Sequence, residues 1–388
     1  MKQLLPNMTA LLPILNLFQS CLSKPQFKHF HDYIGGLLTL SNKSMSGICD
    51  ALVEKRHTSS MSRFLSSLAW DENGLIVKYL RKIRFVFSRE WVSVIIDDTL
   101  SEKTGKNIDG VQFHKDHAGG GFVFGHQFVT ALLRSRDIIL PLVPRFYSKK
   151  TASKIQIAHD IILLALKYFH VREVILDSWY VCEQIIDLCR LKKIDLIGAI
   201  KSNRNIWIKN KWVKLNKFRK RLATDDFQNH IIDDETYRVY ELITKLNKGG
   251  LVKILIVQQW ITKDKKWSRT FFLISTNTNR TLTDIIRTYT TRWSIETFHK
   301  DAKQNLGLGD YHTQSERSIT RHLMLVTFAY AILQLWMFWK KLKWTIGEAV
   351  RYLQGKNFDD LLITVVEEND PIKRWEIARR YLSKNAQV

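Results

Sequence analysis

The chain has 388 residues, and 60 Lys and Arg against 37 Asp and Glu leave a formal net charge of +23. That excess favours polyanions through counterion release, and the length allows two or three domains with substantial cores. Cys21, Cys49, Cys182 and Cys189 contain no Cys-x2-Cys pair, which argues against a disulfide framework or zinc site and for free thiols in a reducing cytosol.

Residues 1–85 read as helical. The apolar stretch from Leu4 to Leu15 is broken by Asn7, Thr9 and two prolines and lacks a small-residue cleavage site, so no signal peptide is expected. Phe27–Leu40, Met45–Val53 and Met61–Leu68 are short amphipathic stretches. Ser44–Leu52 with the His57–Ser60 turn has the outline of a helix-turn-helix, and a small packing domain is the alternative.

Strands begin near residue 86. Trp91–Ile96 is an apolar, β-branched run ended by Asp97-Asp98-Thr99, and Val171–Leu176 is another, ended by Asp177-Ser178. Each reads as a buried strand that delivers a carboxylate at its C-terminal edge, where open α/β sheets place their sites. Between them lie a polar, Gly-containing segment (Ser101–Gly121), strands at Phe122–Leu133 and Ile138–Val143, and a helix at Ala152–Phe169. Lys103 and Lys106, just past Asp98, are candidates to contact a scissile strand. His114-Lys-Asp116-His117 lacks further ligands at metal spacing and reads as a polar loop. A helix at Tyr180–Leu191 and a strand at Ile194–Ile200 follow.

From 205 to about 280 the pattern changes to strand-like runs at Asn205–Val213, Tyr237–Ile243, Leu251–Trp260 and Thr270–Ser275, with Asn247-Lys-Gly-Gly250 as a turn. We read a β-rich insertion. Lys209–Trp212, Phe218–Arg221 and Lys265–Trp267 set basic residues beside aromatics, a mixture suited to phosphate contact and base stacking or to an ordinary basic surface.

Thr281-Leu-Thr-Asp284 resembles a capping box, and its helix is expected to run to Gly307-Leu-Gly309. At about 100° per residue, with Tyr289 at zero, Arg292 falls near about −60°, Glu296 about −20°, Lys300 about +20° and Lys303 about −40°. Ile295, Phe298 and Ala302 take the other side. A stripe of Arg, Lys and Tyr around one carboxylate suits a phosphodiester beside a metal-binding acid; a solvated helix face has the same spacing. Leu323–Trp339 is uncharged but slightly short of a bilayer span, so a membrane crossing is not expected.

The chain resembles the DDE transposases of the insertion-sequence-four type, close to their 701-like branch. Tyr289, Arg292, Glu296 and Lys303 match that family's Tyr-x2-Arg-x3-Glu-x6-Lys signature without a gap, inside Arg292-Trp293-x-Ile-Glu-x-Phe-His-Lys300. Asp97-Asp98-Thr99 matches the context of its first catalytic Asp, and Leu176-Asp177-Ser-Trp-Tyr180 that of the second. The resemblance covers about Gly35 to Lys340.

It implies an α/β fold: an RNase H-like catalytic core interrupted by a β-rich insertion, with a helical N-terminal domain. The divisions are a DNA-binding domain (1–85), the first part of the core (86–204), the insertion (205–280), the second part with the Glu helix (281–341) and a tail able to mediate dimerisation (342–388). The strands before Asp98 and Asp177 are then neighbours. Asp98, Asp177 and Glu296 become the catalytic residues and the ligands of two Mg²⁺ ions, with Mn²⁺ as a substitute; Asp97 remains an alternative to Asp98. Tyr289, Arg292, Trp293, Lys300, Lys303 and Lys103 become DNA contacts. Phe271 stands where the family has a tryptophan that stacks on a flipped base; it can stack with less ring area, and a plain sheet-core Phe is the favoured alternative.

The activity implied is cut-and-paste transposition: end cleavage, hairpin formation and strand transfer. The partners implied are the terminal inverted repeats, target DNA and a second copy of the chain in the synaptic complex, in a bacterial cytoplasm at the nucleoid and away from membranes. An RNase H-like nuclease or resolvase, and a domesticated, catalytically silent DNA-binding protein, are the competing readings.

Overall fold

Val94, Ile95 and Ile96 are all fully buried, so the strand carrying them is covered on both faces. In the computed structural model, which describes residues 11–52, 58–88, 90–105, 107–115, 119–149 and 152–385, this strand is β1 (Trp91–Glu102). It is followed by β2 (Gln112–Lys115), β3 (Phe122–Ser135), β4 (Ile138–Tyr147), β5 (His170–Leu176) and β6 (Asp195–Ala199). β4, β3, β1, β5 and β6 lie side by side in that order. The β4–β3 and β3–β1 pairs are antiparallel; β1–β5 and β5–β6 are parallel.

The expected neighbourhood of the two acid-bearing strands is present, with Ile96 opposite Leu176. One boundary differs. β1 does not stop at the acids but runs on to Glu102, because β3 continues to pair with it: Asp97 faces Thr130 and Asp98 faces Val129. β5 ends at Leu176, so the acids lie where β1 outlasts its parallel neighbour.

The β-rich stretch contains β7 (Asn205–Ile208), β8 (Lys211–Lys214), β9 (Gln228–Ile232), β10 (Glu235–Leu246), β11 (Gly250–Ile261), β12 (Lys266–Trp267) and β13 (Phe271–Ser275). The run 205–213, read as one strand, is a hairpin. Lys209 and Asn210 turn it with φ of 45° and 61°, the left-handed pair that matches strand twist. The Asn247–Gly250 turn joins β10 to β11, with Leu246 opposite Gly250. These strands do not form a separate layer: β13 pairs with β6 and with β11, so they extend the same sheet.

The helices are α1 (Leu12–Leu15), α2 (Lys24–Thr39), α3 (Met45–Ala51), α4 (Thr58–Ser66), α5 (Glu72–Phe87), α6 (Lys154–Tyr168), α7 (Glu183–Leu191), α8 (Leu215–Arg219), α9 (Leu282–Thr290), α10 (Trp293–Asn305), α11 (Glu316–Trp339), α12 (Ile346–Glu367) and α13 (Pro371–Asn385). Local chemistry starts several of them. Ser23 closes a capping box on α2, and Ser44, Asp71 and Ser153 accept backbone N–H groups at the heads of α3, α5 and α6. Residues 53–57 between α3 and α4, like the apolar stretch before Leu11 and Lys106, Asp116 and His117, lie outside the described residues.

α11 has the length and apolarity of a membrane span, but 83% of its apolar window is buried inside the protein. It packs against α2, α4 and β4. One hydrophobic cluster therefore runs from Leu11 through the N-terminal helices, the sheet and α11 to Leu353, and a smaller one joins the extension of the sheet to Ile285 and Ile286 of α9. The N-terminal helices share the main core.

Candidate active site

Besides Glu102 and Asp310, four carboxylates line one open cavity of about 1150 Å³: Asp97 and Asp98 from β1, Asp177 from the turn after β5, and Glu296 from α10. Each is held in a different way. Asp177 Oδ1 accepts the backbone N–H groups of Trp179 (3.0 Å) and Tyr180 (3.2 Å), which locks the turn that ends β5. Asp98 receives three donors from three elements. The Tyr180 hydroxyl (2.9 Å) and Lys154 Nζ of α6 (3.1 Å) donate to Oδ1, and the Gln127 amide of β3 donates to Oδ2.

Asp97 Oδ1 accepts the N–H of Asp98 at 2.8 Å, and its Oδ2 accepts from Arg292 Nη1 at 3.1 Å. The other end of that guanidinium donates through Nη2 to Glu296 Oε1 at 2.5 Å. The buried Arg292 Nε–H finds no acceptor among the described residues.

This crowding shows in the acidities. Burial, then the charge of Asp177, push the Asp97 carboxyl up to about 7, against the opposing Asp98 N–H and Arg292. Burial also raises Asp177, with the N–H groups of Tyr180 and Trp179 opposing it and Asp98 adding to it. Carboxylate oxygens are the donors a hard divalent cation prefers, and a cation among them would relieve this repulsion, so the donor chemistry fits. Among the described residues no three of them are closed into a cage; Arg292 holds Asp97 and Glu296, and Lys154 holds Asp98.

The helix carrying the signature is not continuous. α9 ends at Thr290 and α10 begins at Trp293, joined by tight turns in which Arg292 N–H donates to the Tyr289 carbonyl and Ile295 N–H to that of Arg292. The Thr290 and Thr291 hydroxyls bond back to the carbonyls of Ile286 and Thr288, a competition that bends helices. The single-helix stripe therefore fails across Arg292. Glu296 and Lys303 face the cavity, whereas Tyr289 packs against the smaller core cluster with Arg292 nearby. Lys300 and Trp293 are exposed and do not line the cavity.

Two further expectations are corrected. Lys103 is turned from the cavity: its Nζ donates to the carbonyls of Gly309 (2.6 Å) and Tyr311 (3.0 Å) and sits 3.6 Å from the Tyr311 ring centroid. It clamps the chain after α10 to the end of β1. Phe271 opens β13 opposite Val257 and packs against the smaller core cluster, where sheet burial outweighs any role at the cavity.

No curated protein matches the chain. A family model for the archaeal ISC1217 transposases matches residues 142–342, which include Asp177 and Glu296, and a model for DDE superfamily endonucleases matches residues 17–221, which include Asp98 and Asp177. Each spans just over half of the chain.

The chain belongs to the DDE transposases and endonucleases.

Among solved structures, the DDE transposase described here is similar to the piggyBac transposase in its synaptic complex with hairpin DNA. The TM-score is 0.50 at 11% identity, over 92% of this chain and 76% of that one, a likeness of fold. Sequence reasoning about this transposase missed Lys154, Tyr180 and Gln127, the donors to Asp98. Tyr180 stood in the stretch that matches the context of the second Asp but without a sign of its bond to Asp98; a Lys at a helix start and a Gln in a strand are ordinary, and only sheet pairing and the packing of α6 bring the three to the acid. Trp179 and Lys201, which also line the cavity, carried no signal beyond their closeness to Asp177 and β6.

Proposed function

We propose that this enzyme is a cut-and-paste DNA transposase with an RNase H-like core. The strand order β4-β3-β1-β5-β6, with its two antiparallel and two parallel pairings, supports that core. The observation that carries the function is the convergence of Asp98, Asp177 and Glu296, from three elements far apart in the chain, on one open cavity edged by Lys154, Lys201 and Lys303. Acids alone would repel DNA; the basic rim and the +23 net charge draw it in.

Asp98, Asp177 and Glu296 would hold the divalent cations, in our reading two Mg²⁺ with Mn²⁺ as substitute. Such ions acidify an attacking hydroxyl and neutralise a leaving oxygen. Water attacks phosphorus at the transposon end, the bond to the 3′ oxygen breaks, and the proton passes to solvent in the open cavity. The freed 3′-OH then attacks the phosphodiester of the opposite strand, which closes a hairpin and releases the flanking DNA as its 3′-OH; water reopens the hairpin, and the regenerated 3′-OH attacks target DNA, releasing a target 3′-OH. Tyr180, Lys154 and Gln127 hold Asp98 in its orientation. Lys303 takes a phosphate oxygen in the cavity, Arg292 bridges Asp97 and Glu296 beside it, and Tyr289, Lys300 and Trp293, which lie off the cavity wall, are the outer DNA contacts of this reading. The N-terminal helices read the inverted repeat, and two copies act on two ends.

The test is cleavage of a supercoiled plasmid carrying the element's own inverted repeats, in Mg²⁺, by wild type and by Asp98→Ala. Double-strand release by wild type alone is expected. Equal cleavage by both proteins would remove Asp98 from the site, and binding to the repeats without cleavage by either would leave only a DNA-binding protein.

A further inference from the structure

Trp179 stands on the wall of the acidic cavity, two residues past Asp177. The neighbouring Tyr180 is fully buried, but the Trp179 side chain is 46% exposed. Core packing therefore does not account for its position. Its backbone is fixed, because its own N–H and that of Tyr180 both donate to Asp177 Oδ1. Its ring also has two cations: Lys154 Nζ lies 4.9 Å and Lys201 Nζ 4.6 Å from the ring centroid.

Lys201 has a second neighbourhood. It lines both the acidic cavity and a smaller cleft of about 350 Å³, whose walls are Asn203, Arg204, Asn205, Asn247 and Lys248. A path thus leads from the carboxylates, past an indole face, into a cleft of cations and amides. Duplex DNA keeps its base faces stacked and cannot offer one to Trp179. An unpaired nucleotide can. Its base would lie on the indole, its flanking phosphates would draw Lys154 and Lys201 off the ring, and the amides would meet base edges.

We infer that Trp179 is the stacking platform for an unpaired nucleotide next to the cleaved phosphodiester, and that the Lys201–Lys248 cleft carries the single strand onward. The inference rests on the transposase reading and adds a residue to it that the signature does not contain.

The experiment uses the full chain with Ca²⁺ and a transposon-end duplex bearing a three-nucleotide 3′ overhang, its first unpaired base replaced by 2-aminopurine. A blunt duplex of the same sequence is the control. Wild type is expected to quench the 2-aminopurine; Trp179→Ala loses the quench and binds the overhang DNA about tenfold more weakly, with a smaller change for blunt DNA, while Trp179→Phe keeps most of both. An unchanged quench in Trp179→Ala, or equal weakening on both DNAs, overturns the platform while leaving the transposase reading in place. If wild type binds neither DNA, both fail together.

Discussion

Arg292 reaches from the α9–α10 junction to Asp97 on β1, Nη1 to Oδ2 at 3.1 Å. The same guanidinium holds Glu296, so one planar cation spans two carboxylates on different elements. A lysine has no fork with which to do this. Arg292→Lys is expected to lower plasmid cleavage at least about tenfold, with binding to the inverted repeat falling less. Cleavage at the wild-type rate would show that the bridge has no part in the reaction.

Tyr180 acts on Asp98 through one hydroxyl, which donates at 2.9 Å. Tyr180→Phe leaves the ring in place and removes that donor. We expect folding stability to fall by about 1 kcal/mol and the cleavage rate by several-fold. If chemical denaturation shows the loss and single-turnover cleavage does not, Tyr180 supports the fold alone.

Gly198 on β6 sits against the end of β5. A Cβ there would lie 2.7 Å from Val181 Cγ2 and 2.8 Å from the Leu176 carbonyl oxygen, the two sides of the turn that carries Asp177. Gly198→Ala must shift that turn. A loss of about 1–3 kcal/mol is expected, with a larger loss of cleavage than of repeat binding; unchanged melting and cleavage would mean the turn relaxes freely.

Arg321, fully buried on α11, stitches that helix to the N-terminal region. It donates to the carbonyls of Phe64 (2.8 Å), Leu65 (3.2 Å) and Leu68 (2.9 Å) and to Glu72 Oε1 (2.5 Å), over the Trp70 ring. Arg321→Met strands the Leu65 and Leu68 carbonyls after α4, while that of Phe64 keeps the Trp70 indole N–H, and should cost about 3–5 kcal/mol. Equilibrium unfolding in urea measures it, and a change below about 1 kcal/mol would contradict the burial argument.

His322 is held neutral: the Tyr33 hydroxyl donates to Nδ1 at 2.8 Å, and Nε2–H donates to the Gly307 carbonyl at 2.9 Å. Burial, with Lys103 adding to it, pushes its pKa from 6.5 down to about 4. Between those values the unfolded chain binds more protons, so this contribution is complete above pH 6.5 and is lost as pH falls toward 4. Asp97 works in the opposite sense, because its raised carboxyl is protonated in the folded state first. The quantity to measure is therefore the difference: the melting temperature of His322→Gln should fall less than that of wild type between about pH 6.5 and about pH 4.5. Parallel curves would remove His322 as a source of acid sensitivity.

Much of this was legible locally. β-Branched runs mark β1 and β5 because such side chains pack on a pleated, two-sided sheet, and the Asn247–Gly250 turn marks a hairpin because its glycines take φ of 116° and 66°. Tyr289, Arg292, Glu296 and Lys303 carry the family resemblance in their spacing alone. What acts on Asp98 was not legible: its donors Gln127, Lys154 and Tyr180 lie 29, 56 and 82 residues away in the chain. Nor was the bend at Arg292, which depends on two threonine hydroxyls choosing backbone carbonyls over solvent, nor the merging of the inserted strands with the core sheet through β6 and β13. Short-range propensity determines which segments become strands, turns and helices. Which side chains meet across them is set by sheet register and helix packing, interactions between residues whose separation no local pattern encodes.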